Sequence, residues 1–247
     1  LTSIINMLVS QYRKEIPPPS DAVFNNQFEQ LHRIGRVFLR EEEDFCLTSK
    51  PCYLEAAIGT EPEAEGTLLD TPFPSKVPLP SGRLLRARGR IDRIDRIGDE
   101  GAHLYAVWDY KMGSDYKYVK DPPFSQGRVI QHVLYRALAE ERLKEVISPD
   151  AKVVIMGYFF PGPRTLGTRI AFNDDQLVGG GEILDDLATI AASGAYLATN
   201  NSDDCRFCDY RPICGDYEKV CAQAEAKLQK EQNTSLEPFR RLRGEDS

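Results

Sequence analysis

The spacing of apolar residues along the chain predicts three helices. Residues 21–45 carry a helical stripe made of Phe24, Phe28, Leu31, Ile34, Phe38 and Leu39. Asp21 stands where an N-cap residue is expected. A second stripe, in residues 127–146, consists of Val129, Ile130, Val133, Leu134, Ala137 and Leu138. Residues 174–198 predict a third helix, which three consecutive glycines interrupt.

Shorter apolar runs predict the strands of a sheet. They begin with the segment PCYLEAAIG, residues 51–59, and continue with residues 84–97, 103–110 and 152–161. The sequence GDEG, residues 98–101, predicts the turn of an antiparallel hairpin. Residues 59–83 are rich in proline and glycine and predict a loop. Strands that pair with each other in the first half of the chain, followed by a helix and then another strand, predict an α/β fold with a mixed central sheet flanked by helices.

Composition places the chain among ordinary globular proteins. It has 247 residues, of which 41% are hydrophobic and 28% charged, enough for one large domain or two modest ones. No stretch reaches the ~18 apolar residues that span a bilayer, and the first residues lack the pattern of a signal peptide. We therefore expect a cytoplasmic protein with no membrane partner. The chain begins with Leu1 rather than Met, which leaves open that it is a piece of a longer polypeptide.

Charge is distributed unevenly along the chain. The net charge is −7, which argues against a protein that coats nucleic acid over its whole surface. Arginines nevertheless cluster in two segments of the chain. The first segment contains Arg83, Arg86, Arg88, Arg90, Arg93 and Arg96, and the second, near the end, contains Arg240, Arg241 and Arg243. Two interpretations stay open, a solvated strand face and an edge that contacts phosphates beside an acidic site.

Two acids and a lysine are expected to meet at one end of the predicted hairpin. Antiparallel pairing brings Asp92 on one strand near Asp109 on the other. Because side chains alternate along a strand, Asp109 and Lys111 point the same way and Tyr110 points the opposite way. Carboxylate oxygens suit Mg²⁺ or Mn²⁺, and a neighbouring lysine can assist the attacking water and offset charge on a phosphoryl group. The alternative is an ordinary ion pair at the protein surface.

Three short motifs follow one another along the chain, GRIDRID at 89–95, VWDYKMGS at 107–114 and QHVLY at 131–135. Their order resembles the core of the PD-(D/E)XK nuclease superfamily, in the branch of RecB-like and AddB-like nuclease domains. The resemblance implies a restriction-endonuclease-like core with a divalent-metal site at one edge of the sheet.

The same resemblance implies roles for individual residues. It makes Asp92 and Asp109 metal ligands and Lys111 the catalytic lysine. Gln131 and Tyr135, four residues apart on one helix face, match the Q-x-x-x-Y motif that follows the lysine in this branch. Their expected role is to orient the substrate or the site, and the alternative is the rim of an amphipathic helix.

Two more acids lie near these motifs. The resemblance implies a glutamate at the position of Glu55, on the strand before the hairpin, where it would join the metal shell directly or through water. A salt bridge from Glu55 to a nearby arginine is an equally economical interpretation. Asp95 is three residues from Asp92 and should face the other side of its strand, so it is excluded from the site.

Cysteines cluster near the end of the chain, where Cys205, Cys208, Cys214 and Cys221 are four of the six in the sequence. In a cytoplasmic protein such clustering favours metal over disulfides, and spacing alone does not decide between zinc and a [4Fe–4S] cluster. The resemblance favours the [4Fe–4S] cluster, with Cys205, Cys208 and Cys214 as three ligands. The fourth ligand is not identified: it is a cysteine upstream of this chain, or Cys221, Cys46 or Cys52. The family's first helix usually also supplies a metal ligand, and His32 is expected to lie on a solvated helix face instead.

The main hypothesis is a metal-dependent deoxyribonuclease, expected to be an exonuclease, that works with a helicase in DNA repair or recombination. The chain contains no Walker A sequence, so any motor lies elsewhere. The alternatives are a DNA-binding or scaffolding module that keeps the nuclease fold without activity, and a zinc-ribbon binding protein. The expected divisions are a helical segment over 1–50, the nuclease core over 51–200, and a segment with the cysteine cluster and basic tail over 201–247.

Overall fold

The computed structural model describes residues 1–63, 65–119 and 123–244, and the chain divides into two compact units. The first unit comprises Leu1–Val77, Arg86–Pro123 and Gln131–Val178. The second comprises Pro78–Leu85, Phe124–Ile130 and Gly179–Ser247. Within the described residues, no helix is long and apolar enough to cross a membrane.

Helices and a central sheet make up most of the first unit. The helices are α1 (Thr2–Glu15), α2 (Asp21–Phe45) and α3 (Gln131–Val146). The chain also forms seven strands within its described residues, which are β1 (Ser49–Ile58), β2 (Ser75–Pro78), β3 (Leu84–Ala87), β4 (Gly89–Ile97), β5 (Leu104–Tyr110), β6 (Lys152–Phe160) and β7 (Thr168–Phe172). Strands β2 and β3 pair in a sheet of their own, and the other five form the central sheet.

The central sheet is mixed, with the strand order β1-β4-β5-β6-β7. Strand β4 pairs antiparallel with β1 and with β5. Strands β5 and β6 run parallel, with α3 between them in the chain, and β7 returns antiparallel to β6. Parallel neighbours need a crossover of this kind, since a short turn cannot join them. The predicted mixed sheet flanked by helices is confirmed.

Each face of the central sheet is covered by a different helix. On one face, Phe38 and Phe45 of α2 pack against a small core of Ala106, Trp108 and Phe159. On the other face, α3 buries Leu138, Ala139 and Leu143 completely. Because alternate residues of β5 face opposite helices, neighbouring positions on this strand have quite different surroundings.

Several boundaries differ from the prediction. Helix α2 has the predicted bounds, but its N-cap is Ser20, whose hydroxyl accepts a hydrogen bond from Val23 N at 3.3 Å, and Asp21 is the first helical residue. The predicted strand 84–97 is divided at Arg88 into β3 and β4, and α3 begins at Gln131 rather than at 127. The helical segment predicted over 1–50 contains α1, although the apolar pattern gives no bounds for this helix, and β2 and β7 are not predicted.

The second unit is mainly helical, with α4 (Gly180–Ser193), α5 (Arg211–Cys214), α6 (Tyr217–Leu228) and α7 (Glu237–Arg243). Helix α4 is shorter than the predicted 174–198. Its flanking glycines, Gly179 with φ +83° and Gly194 with φ +66°, adopt the left-handed conformation that begins and ends it.

Candidate active site

The hairpin of β4 and β5 brings two carboxylates to one end of the sheet. The strands pair from Ile97–Leu104 to Arg93–Trp108, which confirms the predicted hairpin, although the residues that join them run over 98–103 rather than 98–101. Just beyond the last pair, Asp92 Oδ2 accepts a hydrogen bond from Tyr110 N at 2.8 Å. The side chain of Asp92 is therefore hydrogen-bonded to the residue directly after Asp109.

Asp109, Lys111 and Gln131 form a connected polar group beside Asp92. Gln131 Nε2 donates to Asp109 Oδ1 at 2.8 Å, and Lys111 Nζ donates to Gln131 Oε1 at 3.0 Å. The ammonium group of Lys111 also forms an ion pair with Asp109 Oδ2 at 2.5 Å. The amide at the first residue of α3 thus fixes the acid and the lysine relative to each other.

Asp109 is buried to an extent that is unusual for a carboxylate, with 3% of the residue exposed. Burial raises the pKa of Asp109 above its ordinary value, and the negative charge of Asp92 adds to this effect. The ammonium group of Lys111 opposes the shift without cancelling it. A cation bound at this carboxylate would relieve the cost of burying its charge.

The donor set fits a hard divalent cation. Asp109 Oδ2 is a buried oxygen whose close partner among the described residues is the ammonium group of Lys111, and Asp92 supplies a second carboxylate next to it. Mg²⁺ commonly takes one or two carboxylates and keeps several waters. Among the described residues, no three His, Cys, Asp or Glu side chains are already close enough together to hold a metal ion. An ion held by the two hairpin acids would therefore complete its shell with water or substrate oxygens.

Glu55 occupies a strained position in β1, at the same end of the sheet. Its φ of 54° lies in the left-handed region, which a residue with a side chain rarely adopts. It lies between the pairs Leu54–Arg93 and Ala56–Ile91, so its backbone is opposite Asp92. The pKa of Glu55 is raised, first by partial desolvation of its carboxyl group and then by the charge of Asp92, while Arg90 opposes the shift. Strain of this kind often marks a functional residue.

Replacing Glu55 with glycine is expected to stabilise the fold by about 1 kcal/mol, because glycine adopts a positive φ without steric cost. If the carboxylate serves the site, the same variant loses activity. Urea unfolding and DNA cleavage measured on Glu55→Gly and Glu55→Gln separate the two effects, since glutamine removes the charge and keeps the strain. A glycine variant less stable than the glutamine variant would contradict the assignment of strain.

Tyr135 lies one turn after Gln131 on α3 and packs against the beginning of β4. A Cβ atom on Gly89 would lie 3.2 Å from Tyr135 Cε1, so a glycine at this position allows the ring to approach the strand. Among the described residues, no hydrogen bond joins Tyr135 to Asp92 or Asp109. The structure therefore places Gln131 in direct contact with the acid and lysine, and Tyr135 beside the strand that carries Asp92.

A buried ion network lies on the opposite face of β4, consisting of Glu42, Ser49, Arg93, Asp95 and Arg169. Arg93 Nη2 and Ser49 Oγ each donate to Asp95 Oδ2 at 2.7 Å, and Asp95 is fully buried. Arg93 Nη1 donates to Glu42 Oε2 at 2.6 Å, and Arg169 donates to Glu42 Oε1 at 2.6 Å. Asp95 faces away from Asp92, as the alternation of side chains predicts.

The arginines grouped by the sequence do not form a single surface. Arg93, 2% exposed, belongs to the buried ion network, which corrects both the solvated and the phosphate-contacting interpretation for this residue. Arg83 pairs with Asp185, and Arg90 pairs with Glu63. Near the end of the chain, Arg240 donates to backbone carbonyls and Arg241 pairs with Asp186 at 2.5 Å. Most of these guanidinium groups stabilise the fold locally.

The cysteine segment gives no support to the expected iron–sulfur cluster. Cys208 and Cys214 are exposed and Cys221 is buried, and burial together with the neighbouring Cys205 raises the pKa of the Cys221 thiol. Within the described residues, which include all six cysteines, no three of these thiols are close enough to bind one metal centre. The [4Fe–4S] cluster expected on Cys205, Cys208 and Cys214 is therefore not supported.

His32 is half-buried between α1 and α2 rather than on a solvated face. Its Nε2 lies 3.0 Å from Asn6 Oδ1, and its ring meets Phe28 edge to face at 4.6 Å. These contacts show that His32 packs between α1 and α2.

The fold and the site together define a class of protein. A mixed sheet with an Asp-x-Lys motif at the end of a strand, a second aspartate on the adjoining strand and helices on both faces is the framework of a metal-dependent nuclease. The family model of the PD-(D/E)XK nuclease superfamily matches residues 8–215. The chain belongs to this superfamily, whose members are generally metal-dependent nucleases that use Mg²⁺ or Mn²⁺. A search of curated proteins found no match.

Proposed function

We propose that this chain hydrolyses phosphodiester bonds of DNA, with Asp92 and Asp109 as ligands of Mg²⁺ or Mn²⁺ and Lys111 beside the attacking water. The observation that carries the proposal is the pairing of a deeply buried carboxylate, Asp109, with the ammonium group of Lys111 at 2.5 Å. An enclosed acid whose pKa is raised, with a cation and a second carboxylate next to it, is more typical of a catalytic site than of an ordinary ion pair.

The described residues support a division of tasks. A bound divalent ion would polarise the scissile phosphate and lower the pKa of a bound water. Asp92 is held by Tyr110 N, and Asp109 is held by Gln131, so both carboxylates have fixed positions before a substrate arrives. Lys111 has 25% of its side chain exposed, which lets its ammonium group donate to the water or to a phosphate oxygen. Glu55 is proposed to contribute through water.

We also propose the finer context that the motif order suggests, an exonuclease domain that works with a helicase in DNA repair or recombination. The spacing between Lys111 and Gln131, and their hydrogen bond at 3.0 Å, support a common role for the lysine and the Q-x-x-x-Y motif. The alternative is a DNA-binding module without activity. The hydrogen bonds that join Asp109, Lys111 and Gln131 favour an enzyme over this alternative.

Lys111→Met is expected to lower the cleavage rate on the order of 100-fold, because methionine keeps the aliphatic stem and removes the charge near the scissile phosphate. The assay uses end-labelled linear DNA and closed circular DNA, single- and double-stranded, with Mg²⁺, Mn²⁺ or EDTA. Cutting of linear DNA alone would identify an exonuclease.

Lys117→Met is the matched control, since Lys117 is exposed on the following loop and its ammonium group lies over the Tyr118 ring. Activity that survives EDTA, or that is unchanged in Lys111→Met, would contradict the proposed mechanism. A chain that binds DNA in every buffer and never cuts it would favour the DNA-binding module.

A further inference from the structure

A short turn after β6 stands beside the end of β5. Because β5 and β6 are parallel, their carboxyl ends lie at the same edge of the sheet. Lys111 N donates to Phe159 O at 2.9 Å, which joins the residue after β5 to the last part of β6. A Cβ atom on Gly162 would lie 3.4 Å from Met112 O. The turn, residues 161–167, is therefore packed against the segment that follows Lys111.

This turn is held by several contacts and has little freedom to move. Thr165 Oγ1 and Gly167 N both donate to Phe160 O, at 2.9 and 3.0 Å, and Leu166 N donates to Gly162 O at 2.9 Å. Gly167 has φ +93°, and a Cβ atom on it would lie 2.3 Å from Glu41 Cγ of α2, so a glycine is required here. The turn consequently presents its outer residues in a fixed position.

Arg164 is exposed on this turn and lines a cleft of about 180 Å³. The cleft is also lined by Met112 and Ser114 from the segment after Lys111, by Thr165, and by Gln30 of α2. Within the part of the chain that the structure describes, no ion pair or hydrogen bond holds the Arg164 guanidinium. Arg83, Arg90 and Arg93 each pair with a carboxylate, whereas Arg164 has no such partner among the described residues and lies in the cleft that begins one residue after Lys111.

We propose that Arg164 binds a backbone phosphate of the DNA strand next to the scissile one. The inference rests on the proposed nuclease function and adds a residue that none of the three motifs contains. A guanidinium group binds phosphate with two parallel hydrogen bonds, which fixes orientation as well as adding affinity. The turn holds this guanidinium group beside the segment that follows Lys111, so Arg164 is a substrate-binding residue that contributes affinity.

The test measures DNA binding and cleavage separately. Affinity for a fluorescent oligonucleotide is measured by anisotropy with Ca²⁺ in place of Mg²⁺, over a series of salt concentrations. Arg164→Ala is expected to weaken binding about tenfold and to flatten the dependence of log K on log salt by about 0.7 to 0.9, the contribution of one phosphate contact. KM is expected to rise while kcat changes little. Arg164→Lys should be intermediate, because it keeps the charge and loses the paired hydrogen bonds.

A neutral methylphosphonate placed at successive positions of the oligonucleotide identifies the phosphate. The wild-type chain should lose affinity at one position beside the cleavage point, and Arg164→Ala should show no loss there. Lys50→Ala, an exposed cation at the opposite end of β1 from Glu55, is the control and should match the wild type.

The assignment of Arg164 would be overturned if Arg164→Ala bound DNA with the affinity and salt dependence of the wild type, or if its kcat fell at constant KM. Either result would leave the nuclease function standing. A wild-type chain that binds DNA and does not cut it would overturn the nuclease function, and the binding measurements would still decide the role of Arg164.

Discussion

Replacing Asp109 with asparagine is expected to lower metal-dependent DNA cleavage on the order of 10³-fold or more. The amide keeps the shape of the side chain and its contact with Gln131, but it removes the negative charge at the oxygen that is buried next to Lys111. Losing a metal ligand removes several kcal/mol of stabilisation from the transition state, and each 1.36 kcal/mol corresponds to tenfold in rate. Initial rates on end-labelled linear DNA with Mg²⁺ or Mn²⁺ provide the measurement.

The same variant should remain folded. Because burial raises the pKa of Asp109, its ionised form costs stability at neutral pH, and that cost disappears as pH falls through the raised pKa. Asp109→Asn is therefore expected to unfold at a temperature no lower than the wild type at pH 7. Asp99→Asn makes the same change at the exposed far end of the hairpin and should leave activity unaltered. Full activity in Asp109→Asn would show that the hairpin acids are not the active site.

Arg93→Met is expected to lower the free energy of unfolding by about 3–5 kcal/mol, the typical cost of removing one partner from a buried ion pair. Methionine fills much of the volume, so the loss comes mainly from leaving Asp95 and Glu42 buried without their common partner. Urea unfolding at pH 7 measures the effect. Arg86→Ala, at an exposed position on β3, is the control and should change stability by less than about 0.5 kcal/mol.

The dependence on pH provides a second measurement of the network. Burial by itself would raise the pKa of Glu42, but hydrogen bonds from Arg93 and Cys46 and the nearby arginine charges lower it below the ordinary value. In the wild type this stabilisation is present above the ordinary pKa of glutamate and is lost as pH falls. In Arg93→Met only Cys46 and Arg169 still lower the pKa of Glu42, so this stabilisation is smaller and the deficit should shrink as pH falls from 7 to about 4. A deficit that is below 1 kcal/mol, or constant with pH, would contradict the role assigned to Arg93.

The hairpin could be predicted from the sequence because its determinants are local. The alternation of apolar and polar residues fixes which side chains share a face, and the turn at 98–101 fixes which strands pair. The relation of Asp109 to Lys111 follows from the same alternation. Gln131 lies 20 residues from Lys111, and the Q-x-x-x-Y motif predicts only an orienting role for it; its hydrogen bonds to Lys111 and Asp109 depend on the fold.

The buried ion network could not be predicted, because its members are far apart in the chain. Glu42 lies 51 residues from Arg93 and 127 residues from Arg169, and it belongs to an acidic run that resembles a solvated helix end. The strained φ of Glu55 is likewise set by the sheet around it and not by the local sequence. Arg164 lacks any motif, and only the parallel pairing of β5 and β6 brings its turn to the site.

The repeat in β4 has a consequence for how reliably the sheet assembles. The strand reads Ile-Asp-Arg twice, at 91–93 and 94–96, so a shift by three residues would put one copy in the place of the other. Its period of three is odd, and a shift by three residues would turn every side chain of the strand to the opposite face. Asp95 would then take the place of Asp92 beside Asp109, and Arg96 would take the place of Arg93 facing Glu42, so the repeat by itself does not prevent the shift. Gly98 would take the place of Asp95, and the buried arginine would lose the carboxylate that now binds it. The buried carboxylate of Asp95 therefore selects the register that brings Asp92 to Asp109.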